Sequence, residues 1–461
     1  MHSHLVRDIF RLAWPVYIAQ IAIMANGVVD TVMAGHYGTV DLAAVGIGAS
    51  VYVTLFVTLM GVLFALTPTV AQLHGAGRYA EIGEEVRQSG WLAVGLAAIA
   101  ITLVTHPAPL LALSQLTPEV EAKTRAYLGA MAWAAPATLA FRVFQGFSTA
   151  VSRPRVVMVL NLAGLALKIP LNWVLIYGKF GVPELGAAGC AVATAASAWL
   201  TCAAAWWWCY AERDYARYGV FARWSWPRAA AQWQLLALGV PIGAVFFVDV
   251  TAFTFMALFI ARFGPVYSGA HQIAANLTAL AFMLPLAIGN AGSVLVGQAI
   301  GARDAPRARA TGMVAIAVSL GCGLAVGGLI FLAAGPIVGL YTAYPGVQRL
   351  AVGLLAFVAM YHVFDAVQAA AVQILRGYRR AAVPMVIYGV ALWGIALGGG
   401  YALGIEGIGV AAPMAATGFW LAAVVGMTLT AVLVSVYFLR VSRAASVQAA
   451  GLSPQEARPS P

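Results

Sequence analysis

The chain is short of charge. Only 9% of its 461 residues are Asp, Glu, Lys or Arg, where a water-soluble domain carries roughly a quarter. What remains is 62% hydrophobic with a mean hydropathy of +0.87, which excludes a soluble globular fold and implies an integral membrane protein. Cysteine is scarce too. Cys190, Cys202, Cys209 and Cys322 all lie in or at the ends of apolar runs, with no CxxC spacing and no nearby His cluster, so neither disulfides nor zinc are expected. The polar MHSHLVRDIF lacks a small-residue cleavage site close behind it, so the first apolar segment is expected to act as its own insertion signal. Also missing is the ten-residue alternation of an outer-membrane barrel. Runs such as Trp91 to Val104 and Met313 to Leu332 are apolar on every face, and helices are the expected spanning element.

At roughly 20 residues per crossing plus a connection, the chain holds at most about 14 crossings. Apolar runs between polar breaks predict twelve helices, near 12–35, 43–72, 88–106, 126–150, 156–177, 187–210, 235–261, 271–299, 311–333, 351–375, 383–403 and 409–439. Arginines such as Arg7, Arg78, Arg153, Arg223, Arg303 and Arg379 crowd the loops on the N-terminal side. The opposite side carries only Lys123, Arg125, Lys179, Arg262 and Arg349. The positive-inside rule therefore predicts two cytoplasmic termini in a multi-pass inner-membrane protein. Because the basic residues are spread over every inward loop, the net charge of +10 gives no sign of nucleic-acid binding. Trp206, Trp207 and Trp208 read as an interfacial belt before a polar linker.

That linker falls near the middle, and the two sides repeat. At a constant offset of 226, Leu12 matches Leu238, Pro15 matches Pro241, Gly38 matches Gly264, Phe56 matches Phe282, Gln72 matches Gln298 and Gly75-Ala76 matches Gly301-Ala302. Pro, Gly and Gln in register make chance a poor explanation. A unit of six helices returns to its starting side, so the halves are expected to be parallel repeats about an axis along the membrane normal. The predicted organisation is an N-terminal lobe at 1–211, a cytoplasmic linker at 212–234, a C-terminal lobe at 235–440 and a disordered cytoplasmic tail at 441–461.

Most acidic residues, Glu81, Glu84 and Glu85 among them, fall in polar stretches where solvation explains them. Asp30 (NGVVDTVMAG), Asp249 (FFVDVTAF) and Asp365 (YHVFDAVQ) do not. A charge at mid-helix costs roughly 2.5 to 3.5 kcal/mol on insertion scales, so such residues face a protein interior or a wet cavity. A carboxyl group taken out of water can be discharged by a proton, a sodium ion or an organic cation. Where those occupancies exclude one another and access alternates, an ion gradient drives export. Arg142 and Lys168 are the basic residues left within helices. Arg142 is expected to snorkel or pair, and Lys168 to pair with Asp30 or face a water-filled cleft. Among the scattered histidines, His362 stands three residues from Asp365 and so near its face of the helix.

An early proline in the first helix, VVDTVMAGHYG around Asp30, GAHQIAAN at 269–276, PLNWVLIYGKFGVPELGAAG, FDAVQ and LRGYRR together resemble the multidrug and toxic compound extrusion (MATE) family, in its NorM-like bacterial branch. The resemblance spans about residues 10–440. It implies an all-α membrane protein of twelve helices in two six-helix lobes forming a V. It also implies antiport of organic cations and amphipathic drugs against protons or sodium, with no cofactor and no enzymatic step. By the same resemblance Asp249, Asp365 and Tyr361 form a coupling-cation site in the C-terminal lobe, and any sodium would sit at Asp249/Asp365. Asp30 matches the acidic residue of the N-terminal lobe, with Asn172 near it. Ser50, Phe253, Gln272, Asn276 and Phe282 are placed at the substrate cavity. Many relatives carry Glu where this chain has the shorter Asp249. The expected partners are cationic drugs and membrane lipids, and the chain is expected to act as a monomer.

Three rivals are weaker. A flippase for lipids or lipid-linked oligosaccharides predicts a basic cavity, and only Arg142 and Lys168 stand against three aspartates. An intramembrane aspartyl protease using Asp249 and Asp365 predicts a GxGD string, which is absent. An ion channel predicts a filter-like pore segment, and none appears.

Overall fold

The computed structural model describes residues 2–108, 116–407 and 412–449. The described residues form helices joined by turns and irregular segments, with no strand. The long helices are α1 (His2–Tyr37), α2 (Thr39–Gly75), α3 (Tyr79–Thr105), α4 (Pro118–Ala150), α5 (Pro154–Tyr177) and α6 (Ala187–Ala211), then α7 (Ala229–Ala261), α8 (Pro265–Gly301), α9 (Ala305–Leu332), α10 (Pro345–Gly377), α11 (Ala382–Glu406) and α12 (Ala416–Ala449). All but α4 are long and apolar enough to cross a membrane; α4 is Ala-rich, opens on Glu119, Glu121, Lys123 and Arg125, and carries Arg142.

Helix by helix the prediction holds, but most predicted starts come late. The hydrophobic runs mark only the immersed part, whereas polar first turns continue the helix into the headgroup region. Two ends need correction. The last helix starts at Ala416, not 409; residues 412–414 are irregular, and 408–411 lie outside the described residues. It also runs on to Ala449, past the expected start of the tail at 441. RVSRAASVQA holds good helix formers and no Pro or Gly to stop them. Residues 450–461 lie outside the described residues.

Inside the helices, breaks follow from local chemistry. α2 is interrupted at Phe64 and Ala65, because Pro68 has no N–H to offer the Phe64 carbonyl and its ring crowds that oxygen. α11 is π-helical over Val390–Gly398 and Ala402–Glu406, in a segment crowded with Gly394, Gly398, Gly399, Gly400 and Gly404. Such wide turns gather at functional sites.

By contacts the chain forms two compact units, residues 18–243 and residues 1–17 with 244–461. In the first, α4 packs on α2, α3 and α6, and α5 packs on α6. In the second, α10 packs on α8, α9 and α12, and α11 packs on α12. The same set of neighbours recurs one repeat later. Even turn geometry repeats, since Gly77 and Arg303, 226 apart, both take left-handed backbone (φ 71° and 60°).

In the first unit the linker is clamped rather than loose. Glu84 accepts from Arg87 (2.8 Å), Gln88 (2.9 Å) and Arg223 (3.3 Å), and pairs with Arg228 at 3.2 Å. Arg87 also donates to the carbonyls of Gly219 (2.8 Å) and Val220 (2.9 Å), and Trp91 Nε1 to that of Ser225 (2.9 Å). Glu84 is therefore a buried hub in α3, not the solvated loop acid expected from its polar surroundings. Ser148 and the Tyr215 hydroxyl lie 2.6 Å apart under the same segment, and burial pushes that phenol up to about 12. A Cβ at Gly83 would meet the Tyr218 carbonyl and the Gly219 carbonyl carbon. Gly83→Ala is therefore expected to lift the linker and cost about 1–3 kcal/mol, read as a lower thermal midpoint in detergent; an unchanged midpoint would contradict this packing.

Candidate cation site

The second unit brings three of the four expected ion-site residues together. Asp249 sits midway along α7 and is partly buried; Asp365 on α10 is only 3% exposed. Tyr361 precedes Asp365 by one turn on the same face and is also buried. Tyr388, the hydrogen-bond partner of Asp249, packs in one cluster with Tyr361, Val248 and Phe364, the neighbours in sequence or one turn away of the two carboxyls. Among the described residues no Lys or Arg pairs with either carboxyl. The only side-chain hydrogen bond to Asp249 found there comes from Tyr388 on α11, at 2.6 Å.

An aromatic wall surrounds this pair. Phe253, one turn beyond Asp249, meets Tyr361 edge-on (centroids 6.4 Å apart) and Trp420 of α12 (6.5 Å). Trp420 also meets Tyr361 (6.1 Å) and His271 (5.9 Å). A cavity of about 20 Å³, room for one water, lies between Phe253, Met256, Tyr361, Leu392 and Ala396. His362 is fully buried, and neither ring nitrogen has a hydrogen-bond partner among the described residues. Chemically, two uncompensated carboxyls beside phenol oxygens can take up a proton or a small cation. The described residues hold no group of three or more His, Cys, Asp or Glu able to bind a metal ion.

Asp30 belongs to the first unit and is arranged differently. Its carboxylate accepts from Lys168 Nζ (2.7 Å) and Asn172 Nδ2 (2.8 Å), and all three side chains are buried. The fourth expected ion-site residue thus has its counter-charge built in. Arg142 is buried as well; it donates to Met60 Sδ (2.8 Å) and stands over the Phe64 ring at 4.8 Å. Asp41 is buried, pairs with Lys123 (2.7 Å) and accepts from the Ala187 N–H (2.7 Å).

Of the residues expected to line a substrate cavity, Ser50 and Asn172 belong to the first unit and Phe253, Gln272, Asn276 and Phe282 to the second. Asn172 is bonded to Asp30. Ser50 is exposed on α2 and donates to the Gly46 carbonyl (2.8 Å). Gln272 and Asn276 lie on an exposed face of α8, bonded to each other at 3.1 Å. Phe253 is in the aromatic wall, whereas Phe282 is half-buried on α8 and is not one of the rings of that wall. Tyr388 and Trp420 were not anticipated. The available hint was a hydroxyl-bearing ring amid the apolar run VPMVIYGVALW.

A family model, MatE, matches residues 15–174 and 241–402. The chain is 43% identical over 425 residues to a probable multidrug resistance protein NorM of Aromatoleum aromaticum, covering 92% of each chain. It is 36% identical to the multidrug resistance protein PmpM of Pseudomonas aeruginosa, covering 95% of this chain and 92% of that one. Among solved structures, a MATE protein in a bent conformation superposes with a TM-score of 0.89 at 18% identity, covering 97% of both chains. At that identity the likeness concerns the fold.

Proposed function

Since the chain belongs to the MATE family, and is a multi-spanning membrane transporter rather than an enzyme, we propose that it exports organic cations and amphipathic drugs by antiport. The multidrug-resistance names of its relatives support the efflux role. The coupling ion is a proton or sodium, taken up at Asp249 and Asp365 with Tyr361 and Tyr388 as oxygen neighbours. One observation carries this reading: two carboxyls share a largely apolar site in the second unit and have no basic partner among the described residues. Such a pair accepts one cation at a time, because both cannot ionise comfortably side by side. Coupling follows if the ion and the drug favour opposite conformations.

The basic loops support cytoplasmic termini. A lipid flippase is disfavoured because the buried lysine is already paired with Asp30 and Arg142 is held against Met60 and the Phe64 ring. The test is drug accumulation in an efflux-deficient bacterium. Expression should lower steady-state ethidium, a protonophore or sodium depletion should restore it, and Asp365→Asn should match the empty vector. Unchanged accumulation on expression of folded wild type would overturn the export reading.

A further inference from the structure

The linker clamp of the first unit holds more positive charge than it neutralises. Glu84 is one carboxylate facing three guanidiniums, those of Arg87, Arg223 and Arg228, which leaves an excess of two positive charges. Arg87 spends its donors on Glu84, Ser225 and the carbonyls of Gly219 and Val220. Arg223 and Arg228 are largely exposed and meet Glu84 at 3.3 and 3.2 Å. A guanidinium carries more N–H donors than one carboxylate contact uses, so each of these two keeps donors that no described residue accepts.

The same segment leaves indoles bare at a definite depth. Trp91 opens the apolar run of α3 and donates to the Ser225 carbonyl (2.9 Å), and Gln88 donates to that of Trp226 (2.9 Å). These bonds pin the linker at the level where the span gives way to polar residues. Trp224 meets the Trp91 ring edge-on (centroids 5.7 Å apart) and Trp226 stacks on it (5.9 Å), yet the two remain 72% and 71% exposed. An indole favours the membrane–water interface, where its apolar ring meets lipid and its N–H meets water. Arg223 and Arg228 flank the two rings in the chain, so donors and indoles share one short stretch.

We propose that Arg223, Arg228, Trp224 and Trp226 form a binding site for the headgroup of an anionic phospholipid, in the leaflet on the side of the basic loops. The two guanidiniums take phosphate oxygens in forked pairs. Glu84 holds both arginines from beneath, and the indoles lie along the glycerol and the upper acyl chains. The excess positive charge selects a headgroup of net negative charge over a zwitterionic one. Free phosphate would match the charge and leave the indoles without a partner. No residue of the cation site takes part, since Asp249 and Asp365 belong to the other unit, so the site stands apart from the antiport reading.

The test is native mass spectrometry of the purified full chain in detergent, titrated with phosphatidylglycerol and, separately, with phosphatidylcholine. Wild type should hold its first phosphatidylglycerol about tenfold or more tighter than phosphatidylcholine. The double variant Arg223→Gln/Arg228→Gln should lose about 30-fold in phosphatidylglycerol affinity, the usual attraction of two arginines to an anionic surface, and nothing for phosphatidylcholine. Exposed pairs contribute little to stability, so this variant should fold. If it does not elute as a single species, the preference of wild type between the two lipids decides alone. Equal affinity of wild type for both lipids, or wild-type affinity in the double variant, overturns the proposal. An equal loss in Arg379→Gln/Arg380→Gln would reveal a general effect of surface charge and overturn a site at the linker. Displacement of the lipid by inorganic phosphate would reduce the site to a free-anion site and overturn the lipid assignment.

Discussion

Asp249→Asn is expected to reduce gradient-driven export of an organic cation to the level of empty liposomes, without reducing the yield of folded protein. The amide keeps the shape of the side chain and removes the charge that a proton or sodium ion discharges. Folding is expected to survive because the carboxyl satisfies no buried cation among the described residues; a side chain with no ion-pair partner leaves none stranded when neutralised. Tyr388→Phe should act more mildly on the same step. Its hydroxyl sits 2.6 Å from the Asp249 carboxyl, and a hydrogen bond to a charged group contributes about 1.5–3 kcal/mol, so a loss of roughly 10- to 100-fold in coupled transport is expected. Proteoliposome flux measurements on both variants check this. Full flux in Asp249→Asn would remove that residue from the coupling site.

Glu84→Ala should be the most destabilising single change in the linker clamp. Glu84 is 7% exposed and ties Arg87, Arg223 and Arg228 into one network. Removing it leaves Arg87, itself 12% exposed at the side chain, with an unbalanced buried charge. Stranding one partner of a fully buried pair costs about 3–5 kcal/mol. Arg223 and Arg228 are largely exposed and contribute little, so a net loss of about 2–3 kcal/mol is expected. Arg87 retains its bonds to the linker carbonyls, which is why the loss stays below the upper figure. Glu84→Gln, which keeps an acceptor, should lose less. Thermal unfolding in detergent measures both; an unaltered midpoint in Glu84→Ala would show that the network contributes nothing net.

The helices were legible because the bilayer imposes a simple rule on sequence, a run of about 20 apolar residues per crossing. The repeat was legible because Pro15 and Pro241, or Gln72 and Gln298, stand in register. Asp249, Asp365 and Asp30 stood out because charge within an apolar run is expensive. Lys168 was readable as a partner for Asp30 for the same reason, and the structure makes that pair.

Other features leave no such mark. Tyr388 is an ordinary residue in a spanning helix, and only the packing of α11 on α12 beside α7 sets its hydroxyl against Asp249. Glu84 lies in a polar stretch where water is a sufficient explanation, so its burial depended on a linker folding back from more than a hundred residues away in sequence. The π-helical course of α11 has no signature beyond a surplus of glycine. Gln272 and Asn276 were placed at a cavity by resemblance; the sequence pattern alone does not mark that they are exposed on α8 and bonded to each other.

The central claim is that Asp365 couples an ion gradient to the movement of an organic cation. It is tested most directly in proteoliposomes holding an imposed pH gradient or, separately, a sodium gradient, by adding ethidium and following the gradient. Wild type should dissipate one of the two gradients on addition, and Asp365→Asn should dissipate neither. Dissipation by Asp365→Asn at the wild-type rate, or silence of wild type under both gradients, would contradict the account.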